Sequence, residues 1–313
     1  MYKTMEMRQV FGNELEKIME QDERVVCIDA DLARANGTLG LRKKFPDRAF
    51  DIGIAEQNMA CVAAGLAAYG FIPFIGTFTP FATRRICDQV AISIMYAKRN
   101  VKIVGSDPGI SAELNGGTHM SFEDIGVMRS IPGMVIFEPV DCMQLAKAMP
   151  EIMKYDGSVY IRLFRKSAPI IFNEDYKFDL FKADLVTEGS DVSIFATGIM
   201  VAHAIRACEI LKEQGINAEL INIHTIKPID REAVITSARK TGAVVTCENH
   251  NIIGGLKSAV CEVLSEDCPV PVKAIGINDH FGEVAKTDYL LQKYKMTAED
   301  IVNAAVTVIK KKG

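Results

Sequence analysis

Two hydrophobic rhythms alternate along this chain. Short runs of β-branched and apolar residues, such as VVCI at 25–28, give way to longer stretches with apolar positions at helical spacing. The first pattern suits a strand buried on both faces. The second suits a helix that covers it, and the alternation is that of βαβ units with a mainly parallel sheet. A helix is predicted over 8–21, then a strand at 25–28, a helix over 55–69 closed by Gly70, and a strand at 71–75. A helix over 81–97, strands at 101–104 and 133–137, a helix over 142–154 and a strand at 158–163 follow.

From about 168 to 190 the periodicity fails, and SAPIIFNEDYKFDLFKADLVTEGS reads as a linker or an edge excursion. The alternation then restarts. Strands are predicted at 192–196, 218–222 and 243–248, with helices over 201–214, 230–239 and 256–264, the last entered through Gly254 and Gly255. Pro228 and Pro269 punctuate the ends of these units. The expected fold is therefore α/β, with two domains of mainly parallel sheet flanked by helices, at 1–167 and 188–313, joined by a linker at 168–187.

Composition narrows the function classes. A chain of 313 residues has room for about two domains with separate cores. Its net charge of −4 gives no electrostatic reason to expect nucleic acid or an anionic membrane as partner. The eight cysteines form no CxxC pair, and most lie in apolar runs, as free thiols in a reducing cytoplasm would. The N-terminal segment is too charged for a signal peptide, and Gly, Pro and Glu56 interrupt the apolar region at 52–82. A cytoplasmic protein is expected.

Three stretches carry chemistry. In DIGIAEQNMACVAAG, at 51–65, Glu56 opens a helix among apolar neighbours. Such a setting raises a carboxyl pKa towards neutrality, as proton exchange requires, but a helix-start acid also serves simply to satisfy the helix dipole. In GTFTPF, Phe78 and Phe81 follow a strand and offer either an aromatic face for a flat heterocycle or plain core. In GSDPGISAELNGGTH, at 105–119, glycines let the backbone approach a ligand at a strand's C-terminal end. There His119 either meets a substrate oxygen or packs on its loop. Arg8, Arg34, Arg84, Arg85, Arg162 and Arg165 fall near element ends, where arginine forks suit phosphate oxygens, and residue type alone does not choose among them. Neither a dinucleotide-binding nor a P-loop glycine motif is present, and no metal site is predicted.

DIGIAEQNMACVAAGLAAYGFIPFIGTFTPF with the NGGTH loop resembles the pyrimidine-binding domain of transketolases and deoxyxylulose-phosphate synthases. ATGIMVAHAIRACEILKEQGINAELINIHTIKPID and ENHNIIGGL resemble their C-terminal domain. The resemblance implies a thiamine-diphosphate enzyme that moves a two-carbon ketol unit from a ketose phosphate to an aldose. The chain lacks the GDG motif and following Asn with which the family holds the cofactor's diphosphate and Mg2+. A separate N-terminal subunit is expected to supply them, in a heterotetramer.

On this resemblance Glu56 is the acid that hydrogen-bonds N1′ of the aminopyrimidine and so promotes loss of the thiazolium C2 proton. Phe78 stacks on that ring with Phe81 beside it, Asp31 belongs to the cofactor pocket, and His119 faces the substrate. Arg8 and Arg165 match the pair that grips a sugar phosphate. Asn115 stands where the family commonly has an Asp that reads a sugar hydroxyl, and Ser106 where a His assists phosphate binding. Arg84 replaces an aromatic, and Arg34 adds charge to the ADLARAN loop. These departures open the door to another ketose phosphate or another anionic head group. Two other readings stand beside this one, the β subunit of a 2-oxoacid dehydrogenase and a non-catalytic scaffold.

Overall fold

The computed structural model describes residues 5–312. The first residues of the charged N-terminal segment and the final glycine lie outside them. Twelve strands are present among the described residues: β1 (Val25–Asp29), β2 (Ala49–Asp51), β3 (Ile72–Phe78), β4 (Lys102–Ser106), β5 (Val135–Phe137), β6 (Val159–Leu163), β7 (Asp184–Thr187), β8 (Val192–Ala196), β9 (Ala218–Asn222), β10 (Thr225–Lys227), β11 (Val244–Asn251) and β12 (Val272–Ile277). They form a seven-stranded sheet in the order β10-β5-β6-β4-β3-β1-β2 and a five-stranded sheet in the order β12-β11-β8-β9-β7. Only the edge strands β10 and β7 run antiparallel to their neighbours. This is the two-domain, mainly parallel α/β architecture that the hydrophobic pattern predicts.

The continuous apolar runs are explained by burial on both faces. Strands β1, β4, β6, β8 and β9 are buried at every position. In the first sheet, Met7–Gln21 and Cys142–Lys154 pack Phe11, Leu15 and Leu145 on one face. Glu56–Ala68 and the segment after it pack Met59, Ala63, Ile86 and Ile94 on the other. Ala60, Ala63 and Ala64 let Glu56–Ala68 lie close to the sheet, which fixes the depth of Glu56 at its first turn.

The single helix expected over 81–97 is instead a broken run. A short turn at Thr79–Ala82 ends at Thr83, whose φ of −127° and ψ of −87° are not helical. The Thr83 hydroxyl donates to the carbonyl of Thr79 at 2.8 Å, the local side-chain bond that bends helices. A 3-10 turn at Arg84–Ile86 follows, and Val90–Tyr96 is wound as a π-helix. This break places Arg84 and Arg85 beside the first sheet's C-terminal edge.

Two strands cross the predicted divisions. Asp184–Thr187, within the segment read as linker, pairs with β9, so the second sheet begins there. Thr225–Lys227, from the C-terminal half of the chain, pairs with β5 in the first sheet. β12 and the helices Thr287–Lys293 and Ala298–Ile309 complete the second domain beyond the elements that the hydrophobic pattern predicts; Ala298–Ile309 begins with a capping box between Thr297 and Asp300.

Candidate active site

The C-terminal ends of β1 and β3 and the start of Glu56–Ala68 open onto a cleft of about 170 Å³. Ala30, Asp31, Leu32, Ile54, Glu56, Phe78, Phe81 and His119 line it. Five residues singled out from sequence (Asp31, Glu56, Phe78, Phe81 and His119) thus meet at one place, at the strand ends where α/β sheets bind ligands.

Glu56 is only 5% exposed, and its Oε1 accepts a hydrogen bond from Arg85 Nη1 at 2.8 Å. The sequence predicts an apolar setting for this carboxylate. The structure adds a guanidinium to it, which the 29-residue separation hides from any local reading. Arg85 also lies over the Phe81 ring, 3.8 Å from its centroid. His119 meets Phe78 and Phe81 edge-on, at centroid distances of 5.8 and 5.3 Å, and its Nδ1 pairs with the Thr118 hydroxyl at 2.9 Å. Its imidazole is therefore held by two rings and a neighbour, facing the cleft.

Asp51 sets the rim. Its Oδ1 accepts from the backbone N–H groups of Asp31 and Gly53, at 3.0 and 2.7 Å, and its Oδ2 accepts from Arg42 at 2.5 Å. Burial pushes this carboxyl up, but the two backbone donors and Arg42 outweigh it and hold its pKa below the ordinary value. The clamp retains Asp31 at a φ of +58°, a left-handed conformation that costs a non-glycine residue energy unless neighbours enforce it.

Beneath the cleft runs a buried polar line. Ser106 Oγ donates to Asn36 Oδ1 at 2.8 Å; Asn36 Nδ2 and Thr38 Oγ1 donate to the two oxygens of Asp29 at 3.1 and 2.7 Å. Ser106 is fully buried, so its hydroxyl belongs to this line and not to the open cleft. Burial raises the pKa of Asp29 above the ordinary carboxyl range.

The remaining candidates sit around the cleft. Arg165 stacks its guanidinium 5.2 Å from the Phe78 centroid, and its Nε donates to Asp107 at 2.5 Å. Burial, opposed by Arg165, raises the pKa of Asp107 to about 6. The Arg8 backbone N–H donates to the Arg165 carbonyl at 3.2 Å, which sets the two arginines side by side, and the Arg8 side chain pairs with Glu6 at 2.6 Å. Asn115 is exposed at the end of the turn Gly109–Asn115, and Arg34 is exposed on the short helix Ala33–Asn36. Neither lines the cleft. Arg84 ties the opposite rim through Glu123, at 2.5 Å.

Sequence reasoning missed the role of ENHN. Asn249 accepts from the Ile110 backbone N–H at 2.9 Å and donates to the Pro108 carbonyl at 3.0 Å, so the second domain clips the loop that carries His119. Arg162 completes the junction. Buried to 0% exposure, it donates to Asp124, to Glu138 and to the Asn249 carbonyl. Only its residue type and position near a strand end pointed to it, and its partners lie far off in sequence.

Comparison with known proteins fits this geometry. Residues 3–170 match the transketolase pyrimidine-binding domain, and residues 181–301 match the transketolase C-terminal domain. A 6-deoxy-6-sulfo-D-fructose transketolase subunit, SqwH, from Clostridium sp. (strain MSTE9) is 55% identical over 98% of this chain and 95% of its own length. A subunit of the apulose-4-phosphate transketolase from Phocaeicola vulgatus is 37% identical over 97% of both chains. A solved split gene transketolase, in an inactive beta4 tetramer, superposes with a TM-score of 0.92 at 42% identity, covering 99% of this chain and 100% of that one. The chain therefore belongs to the thiamine-diphosphate-dependent transketolase family and is a transketolase subunit that carries the pyrimidine-binding and C-terminal domains.

Proposed function

We propose that this subunit binds the aminopyrimidine half of a thiamine diphosphate shared with an N-terminal subunit, whose GDG motif and following Asn hold the diphosphate and Mg2+. The observation that carries this reading is the meeting of a buried carboxylate, two aromatic rings and a histidine in one cleft. That donor set fits a flat, basic heterocycle: Glu56 has a carboxylate oxygen to offer a ring nitrogen, and Phe78 and Phe81 offer apolar contact. When bound, thiamine diphosphate supplies the carbon nucleophile that cleaves the ketose and passes its two-carbon unit to the aldose.

The chain's own residues do the rest. Glu56 exchanges a proton at N1′, the rings exclude water from the pyrimidine, and His119 hydrogen-bonds the substrate oxygens beside it. Arg8 and Arg165, adjacent through their backbones, hold a terminal anion on the sugar. Two of the relatives named above are named for a sulfo sugar and a sugar phosphate, and on that likeness the donor is a ketose with such a terminus. 6-Deoxy-6-sulfo-D-fructose is the first to test. Asn115 and Arg34, both exposed near the cleft, are reserved for the substrate or the partner subunit. Ser106 acts through the buried line beneath the cleft. The complex is a heterotetramer working in the cytoplasm, which suits the eight unpaired thiols. The relatives do not favour a 2-oxoacid dehydrogenase subunit or a scaffold.

The test is a donor screen with the co-expressed pair, comparing 6-deoxy-6-sulfo-D-fructose, fructose 6-phosphate, xylulose 5-phosphate and pyruvate. Ketol transfer from one of the sugars is expected. In Glu56→Gln that transfer should fall by about 10²–10⁴-fold while the complex still assembles. Turnover with pyruvate alone, or near-normal transfer in Glu56→Gln, refutes the assignment.

A further inference from the structure

We propose that Arg85 is a positioning residue for Glu56: it holds one carboxylate oxygen so that the other faces the cofactor ring, and it steadies Phe81 against the same ring. The inference rests on the reading of Glu56 given above and adds a residue to which neither the sequence pattern nor the resemblance gives a role.

The geometry is specific. One planar guanidinium does two things at once, with its edge on Glu56 Oε1 at 2.8 Å and its face 3.8 Å from the Phe81 centroid. Arginine suits this double task because its fork is flat and its charge delocalised; an ammonium group cannot stack in the same way. Glu56 Oε2 accepts no hydrogen bond among the described residues, which leaves it for a ligand. The backbone of Arg85 is tied to the same helix, since Gln57 Nε2 donates to its carbonyl at 3.4 Å. Its neighbour Arg84 reaches the other way, to Glu123 and the Thr118 carbonyl next to His119. The broken turn at Arg84–Ile86 therefore braces both walls of the cleft, one arginine to each.

The physical benefit is preorganisation. A glutamate free to sample its rotamers must be frozen when the ring arrives, and that entropy is subtracted from cofactor affinity. Arg85 freezes it beforehand. Its side chain is 43% exposed, so solvent screens the pair and the effect is moderate.

The experiment measures the thiamine diphosphate dissociation constant of the complex with its partner subunit, by titration calorimetry in Mg2+, for wild type, Arg85→Gln, Glu56→Gln and the double variant. Arg85→Gln is expected to weaken binding about tenfold when Glu56 is present, and less than about twofold when residue 56 is Gln, since Arg85 then has no carboxylate to hold. Arg85→Lys should recover part of the loss by keeping the charge without the stack. Should Arg85→Gln fail to assemble, Arg85→Lys is compared in the two backgrounds in its place. Equal losses in both backgrounds, no loss, or tighter binding overturns the proposal. If Glu56→Gln changes neither affinity nor transfer, the role of Glu56 itself fails; if Glu56→Gln is impaired and Arg85→Gln is not, only the role of Arg85 fails.

Discussion

Replacing Arg162 with Met tests the junction on which the His119 loop depends. The guanidinium makes four hydrogen bonds: two to Asp124 at 2.7 and 3.2 Å, one to Glu138 at 2.5 Å and one to the Asn249 carbonyl at 2.7 Å. Asp124 is fully buried and Glu138 is 3% exposed. After the substitution Asp124 keeps the Tyr160 hydroxyl at 2.8 Å and Glu138 keeps the Thr197 hydroxyl at 3.0 Å, but neither keeps a cation in hydrogen-bond contact. Removing one member of a buried charge cluster costs about 3–5 kcal/mol. In a chain of this size that is roughly 5–8 °C in melting temperature. Burial already raises the pKa of Glu138 against the pull of Arg162. Without the guanidinium the carboxyl takes up a proton on folding, so the loss should be larger at pH 7 than at pH 5. Denaturant titration at both pH values measures it, and Arg162→Met with Glu138→Gln should recover part of it. A loss under about 1 kcal/mol at pH 7 would show that the junction does not rest on this cluster.

Three further outcomes are expected. Glu248 is fully buried and accepts the backbone N–H groups of Leu256 and Lys257 at 2.6 and 2.9 Å, yet burial lifts its pKa from 4.5 to about 8. The folded chain then holds a proton that the unfolded chain has released, so stability falls as pH rises across that interval; Glu248→Gln should flatten this slope in denaturant midpoints, and an unchanged slope contradicts the assignment. His119→Ala should lower ketol transfer by about 10²–10³-fold in the assembled complex with little change in melting temperature, and transfer within twofold of wild type removes it from the site. Gly12→Ala would bring a Cβ within 2.3 Å of the Gly37 carbonyl oxygen, in the loop between Asn36 and Thr38. It should cost about 1–3 kcal/mol in thermal unfolding, and an unchanged midpoint shows that the loop yields freely.

Local pattern is enough to reveal much of this molecule. VVCI, VKIV and VSIFA read as buried strands because both their faces are covered, and Glu56, Phe78, Phe81 and His119 stand out by motif and meet in one cleft. What escapes is whatever depends on distance along the chain. The run at 81–97 has helical spacing throughout, and only the Thr83 side chain turning back on Thr79 breaks it. Arg85 is one arginine among several until the fold brings it to Glu56. Ser106 looks available by position, but its hydroxyl is spent on Asn36, seventy residues away. Asn249 gives no local sign that it will hold a loop of the other domain.

Strand β10 makes the two halves of this chain mutually dependent. Thr225 pairs with Phe137 and Lys227 with Ile136, and Lys227 Nζ donates to the carbonyls of Arg129 and Ile131. A gene trimmed after the first domain would encode a sheet whose Val135–Phe137 border has lost its lid, with backbone donors and acceptors bare beside wholly buried side chains. Such a fragment should clump by edge-to-edge pairing. Cutting the chain between its two sheets would therefore uncover an edge that β10 now closes.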